Sequence, residues 1–111
     1  MYNKVEIDNS INIKKVLTYI GFDLSLNGTK YLKDILLKVF ATPMLLHSIN
    51  SEVMKKVAED YGTTKISVDR DVRWSILKAY SRGILGYVPC FANNKTPTTK
   101  QIIVWLFDFF N

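Results

Sequence analysis

The chain has 111 residues, 48% apolar and 23% charged, which fits one globular domain with a single core and excludes a disordered chain. Its formal charge is +5 with a pI near 9.4, suited to an anionic partner such as a nucleic acid. The single cysteine, Cys90, excludes an intrachain disulfide, and no stretch suits a secretion signal or a bilayer span, so a cytoplasmic protein without membrane contact is expected.

The apolar period is helical almost throughout. Residues 1–9 read as an N-terminal extension. Ser10 is placed to cap a first helix with Ile13, Val16, Leu17 and Ile20 on its buried face, ended by Gly21. Phe22 to Gly28 reads as a loop turning at Asn27-Gly28. A second helix runs from about Thr29 to Phe40 on the stripe Leu32, Ile35, Leu36, Val39 and Phe40, with Lys30, Lys33 and Lys38 mostly off it. Pro43 opens a short apolar turn over Met44 to Ile49, and Asn50 or Ser51 is expected to cap the helix that reaches Tyr61. A long helix follows from Lys65 to Arg82, with Thr64 as its cap and Gly83 as its stop. Ile84 to Lys95, broken by Gly86, Pro89 and Asn93-Asn94, reads as a loop or short hairpin. Thr96-Pro97 then opens a last helix, capped by that threonine, which carries the aromatic tail. The fold class is all-α: a single compact domain of five to six helices.

Residues 50–83 hold the pattern of a helix-turn-helix. Close approach of two helices needs a small residue, the turn needs one that tolerates positive φ, and the second helix needs a branched apolar anchor. Ala58, Gly62 and Val68 supply these in order, with Val57 and Tyr61 beneath the turn. At 100° per residue, Val68, Val72, Ser75, Ile76 and Ala79 gather on one face of the long helix. Arg70, Arg73 and Leu77 fall opposite, flanked by Ile66, Ser67 and Trp74.

A helix of this kind reads DNA through the first turns of its outer face. Arg70 is placed for bidentate contact with guanine O6 and N7, and Asp69 for a cytosine amine, with Ser67 and Ile66 beside them as base contacts. Thr63, Thr64 and Lys65 stand at the helix N-terminus, where amides and dipole favour phosphate. Arg73, Lys78 and Arg82 are the further backbone contacts.

Six basic residues between Tyr61 and Lys95 stand against Asp69 and Asp71, so this third of the chain carries most of the positive excess. His47 is the only histidine and reads as a helix-end residue. With no metal-spaced cluster, phosphate loop or triad, neither enzyme activity, metal nor cofactor is expected. The competing reading is a helical protein-interaction module that no longer binds DNA specifically, using Trp74, Leu77 and the tail from Trp105 to Phe110.

With these residues placed, the chain resembles the DNA-binding effector domain of the stage-zero sporulation master response regulators. The resemblance covers roughly Ile13 to Phe107. T-T-K-I-S-V-D-R-D-V-R at Thr63 to Arg73 is similar to the family's T-T-x-x-x-V-E-R-x-I-R. A-Y-S-R-G at Ala79 to Gly83, L-L-H-S-I at Leu45 to Ile49 and T-P-T at Thr96 to Thr98 are similar to its A-W-S-R-G, L-L-G-S-I and K-P-T. The resemblance implies a sporulation transcription regulator: an all-helical domain that binds double-stranded DNA at tandem promoter sites, as a homodimer, and contacts the RNA polymerase sigma subunit. It implies guanine reading by Arg70, with Asp69 where the family has a base-reading glutamate. Ser67 stands where the family has arginine, and the segment after Gly83 is shorter than the family's. A receiver domain needs about 120 residues ahead of Ile13, so the resemblance is to the effector part alone, without its receiver.

Overall fold

In the computed structural model residues 4–83, 85, 88, 91 and 95–110 are described, with side chains from Ser10 onward. The apolar stripes close on one another as helices: α1 (Lys4–Tyr19), α2 (Asn27–Ala41), α3 (Met54–Tyr61), α4 (Lys65–Ser81) and α5 (Thr99–Phe110). A 3-10 turn at Pro43–Ser48 and a π-turn at Ile49–Val53 join α2 to α3. The fold is all-α, and the described residues contain no strand. None of the described helices is long and apolar enough to cross a membrane.

α2 lies at the centre, packed along α4 and also against α1, α3 and α5. Its stripe Leu32, Ile35, Leu36 and Val39 is fully buried, and meets Ile13 and Leu17 of α1, Val57 of α3, Val68, Val72 and Ile76 of α4, and Ile102, Ile103 and Leu106 of α5 in one core. The aromatic tail is tied to α2: Phe40 stacks on Phe107 at 5.6 Å between centroids and meets Phe110 edge-on at 5.7 Å.

Four local expectations are corrected. α1 begins at Lys4, so Ser10 is a helix-interior residue and part of the expected extension is helical; no glycine or proline interrupts that stretch. Asn27-Gly28 is not a turn but the first turn of α2. A Cβ on Gly28 would lie 1.9 Å from the carbonyl oxygen of Asp71, so glycine there lets α2 cross α4 backbone to backbone. Asn50 and Ser51 belong to the π-turn, and α3 starts after Val53 with no side-chain cap, since the π-turn already runs helically into it. The cap of α5 is Thr98, not Thr96. The Thr98 N–H donates to Gln101 Oε1 (2.9 Å) and the Gln101 N–H donates to Thr98 Oγ1 (3.1 Å), a reciprocal capping box that satisfies two otherwise unpaired donors. Most of the loop or hairpin expected over 84–95 lies outside the described residues, as does Cys90. His47 sits exposed in the last turn of the 3-10 segment.

Candidate nucleic-acid interface

The site is built on the turn between α3 and α4. Gly62 has φ +66°, a left-handed conformation that costs a β-carbon-bearing residue about 1–2 kcal/mol. It lets the Gly62 N–H reach Glu59 O (3.2 Å) and the Thr63 N–H reach Ala58 O (2.9 Å), the paired bonds of a Schellman helix end. Two residues later Thr64 Oγ1 accepts from the Ser67 N–H at 3.1 Å and starts α4. Ala58 is 4% exposed where α3 meets α4, and Val68 anchors α4 at 0%. Tyr61 packs edge-on against Tyr31 of α2 and donates its hydroxyl to Asp34, tying the turn to the central helix.

This framework orients α4 as its periodicity predicts. Val68, Val72, Ser75, Ile76 and Ala79 are all buried. The Ser75 hydroxyl satisfies itself on Val72 O at 2.8 Å. On the opposite face the side chains of Arg70 and Arg73 are 66% and 67% exposed. Ile66 (79%), Trp74 (53%) and Leu77 (44%) share that face. The Lys78 ammonium lies over the Trp74 ring, 5.4 Å from its centroid. α5 leaves most of the face uncovered.

Both acidic residues flanking the face are engaged by its arginines. Arg73 Nη2 pairs with Asp69 Oδ2 at 3.1 Å across one helical turn, and Arg70 Nε pairs with Asp71 Oδ1 at 3.3 Å. Pairs this exposed contribute less than about 1 kcal/mol, whereas a bidentate arginine–guanine contact discriminates by about 1–3 kcal/mol. The pairs therefore neutralise the aspartates without locking the arginines away. The Arg70 terminal nitrogens have no partner among the described residues.

The remaining predicted residues divide. Thr63, Thr64 and Lys65 cluster at the start of α4, with Thr64 and Lys65 exposed. Ser67 is half-buried and its Oγ accepts from the Thr64 hydroxyl at 3.0 Å, so it belongs to the cap network as much as to the outer face. Arg82 is not brought to the cluster. It lies 17 positions past Lys65, roughly 25 Å at 1.5 Å per residue, and its Nη1 donates to Gly21 O at 3.0 Å, tying the end of α4 to the α1–α2 turn. Close to that turn, hydrogen bonds from the Ser25 hydroxyl and N–H hold the Asp23 carboxyl below its ordinary pKa, helped by the charges of Arg82 and Lys78.

A groove of about 650 Å³ runs between the outer face of α4 and the start of α5, lined by Asn50, Asp69, Arg73, Leu77, Pro97 and Lys100 among others. Asn50 also shares a smaller groove with Lys65, Ile66 and Asp69. Sequence reasoning gave Asn50 a capping role and passed over Lys100. Only the π-turn, which has no clear sequence signal, brings Asn50 beside Asp69.

α4 thus carries an exposed arginine face and is entered through a left-handed glycine. Among known families, residues 13–108 match the model described as "Sporulation initiation factor Spo0A C terminal". That match covers all but the ends of the chain. The protein belongs to the Spo0A C-terminal effector family of DNA-binding, non-enzymatic transcription-regulator domains.

Proposed function

We propose that this domain binds specific sites in double-stranded DNA by laying the outer face of α4 in the major groove, as a cytoplasmic regulator of the sporulation-initiation type. The observation that carries the reading is the pair of arginine side chains, 66% and 67% exposed, on a helix whose other face is fully buried. Arg70 reads guanine through O6 and N7, with Ile66 and Asp69 facing the adjoining bases and Ser67 at the edge of the cap. Asp69 releases Arg73 when DNA supplies a phosphate in its place, and then accepts from a cytosine amine. Thr63, Thr64 and Lys65 hold the phosphate at the start of α4, and Lys78 holds one further along. Arg82 supports the helix from behind. Pairing on tandem sites and a contact with the polymerase sigma subunit complete the family reading.

The test is selection of bound duplexes from a random pool, run in parallel on wild type and Arg70→Ala. Wild type yields a consensus containing a fixed guanine, and Arg70→Ala loses that position alone. Affinity falls steeply between about 50 and 200 mM salt. A folded wild-type protein that recovers no consensus supports the interaction-module reading instead.

A further inference from the structure

The outer face of α4 carries more apolar surface than phosphate binding requires. Of the nine large apolar side chains exposed among the described residues, three lie on this one helix: Ile66, Trp74 and Leu77. Single exposed apolar groups need no explanation, but a set on one face between arginines does. Leu77 opens into the groove beside Pro97. Ile66 and Trp74 stand four residues before and four residues after Arg70, on its side of the helix. Each is about 6 Å from it along the axis.

On a helix lying in the major groove, side chains three or four residues apart meet successive base pairs. The positions flanking Arg70 therefore face the two neighbours of its guanine. An apolar side chain there has one feature to recognise, the C5-methyl group of thymine, since the other groove-edge groups are hydrogen-bond donors or acceptors. The two side chains are also held differently. Ile66 is β-branched in the first turn of α4 and stiff at χ1. Trp74 is braced by the Lys78 ammonium over its ring, a cation that also suits the adjoining phosphate. Positive charge from Lys65, Arg70, Arg73 and Lys78 surrounds the stripe, so a polyanion is the matching occupant.

We infer that Ile66 and Trp74 are specificity-determining residues that read thymine methyl groups on the two sides of the guanine read by Arg70. The inference rests on the proposed function and extends it to thymine on both sides of the guanine. It means that this domain selects its sites partly by methyl contacts, beside the hydrogen-bond readout by Arg70 and Asp69.

The experiment uses the duplex recovered by selection and replaces each thymine, on either strand, with deoxyuridine, which removes only the methyl group. Wild type loses about three- to fivefold in affinity at one position on each side of the guanine, the effect of one buried methyl. Ile66→Ser removes the penalty at one flank and Trp74→Ala at the other, while both keep the guanine dependence. Both side chains are exposed, so neither variant threatens the fold. Wild type that keeps its guanine dependence but ignores every deoxyuridine overturns the inference alone and leaves the stripe to a protein partner. Variants that retain both penalties overturn it as well. Absence of any guanine dependence sinks the proposed function, and this inference with it.

Discussion

The two faces of α4 use the same seventeen residues for opposite purposes. The inner face is fixed by tertiary contact: Val68, Val72 and Ala79 are 0% exposed, and the Asp71 backbone lies against Gly28 of α2. Among the described residues, the outer face makes exposed ion pairs, one cation–ring contact and, at its edge, the Thr64–Ser67 hydroxyl bond. The lesson is a separation of roles. The inner face sets where the helix points and gives most of the stability, while the outer face, which the proposed function turns toward DNA, is free of that constraint. Substitutions on the two faces should therefore move different observables.

The largest effect is expected at the helix crossing. Gly28→Ala puts a β-carbon into the Asp71 backbone, which cannot rotate away, so the helices must separate. A loss of about 3 kcal/mol or more is expected, seen as a melting temperature lowered by over about 10 °C. A variant that melts like wild type would show that α2 does not set the position of α4.

Arg70→Ala is the converse case. Unfolding free energy should stay within about 0.5 kcal/mol of wild type in a urea titration, while discrimination of the guanine falls by about 1–3 kcal/mol. Arg73→Ala should weaken all duplexes alike and reduce the salt dependence by about one counterion. A stability change matching the binding change would blur the distinction between the faces.

Thr98→Ala tests the far wall of the groove. Loss of the capping box should cost about 1 kcal/mol of stability and leave sequence preference unchanged.

The smallest effect belongs to Asp23, behind the end of α4. Its folded pKa is lowered, chiefly by the Ser25 hydroxyl and N–H, so its contribution is present above the ordinary aspartate value of 3.8 and is lost as pH falls through the folded value. Removing the first of those bonds with Ser25→Ala should make a small difference from wild type in the urea midpoint at pH 7 that closes as pH is lowered below 3.8.

Those contrasts also show what could be read from the chain beforehand. Both faces of α4, the positive-φ glycine at Gly62 and the Thr64 cap were legible because each is a local pattern: a period, a residue without a β-carbon, a hydroxyl ahead of a helix. Gly28 was misread because its reason is tertiary; beside an asparagine it looks like a turn, and only the nearness of α4 explains it. The start of α1 at Lys4 has only a weak local sign, the lack of a glycine or proline, against the cap that Ser10 offers. Asn50 was assigned to a cap that the π-turn makes unnecessary. The α5 start is different, because Thr98 and Gln101 are spaced as a capping box in plain sequence, where Thr96-Pro97 offers a competing start signal. For the outer face of α4, the sequence identifies Arg70 and Arg73 as solvent-facing, but the pairing of Arg73 with Asp69 and the turning of Arg82 toward Gly21 depend on contacts that emerge only on folding.

The most direct test of the central claim places 7-deazaguanine, which lacks only the N7 acceptor of the major-groove edge, at the guanine assigned to Arg70. Wild-type protein should bind this duplex on the order of tenfold more weakly than the unmodified one, the loss of one charge-assisted hydrogen bond, and Arg70→Ala should bind the two duplexes equally. Equal binding of both duplexes by wild type, or an undiminished preference in Arg70→Ala, would contradict guanine reading by the outer face of α4.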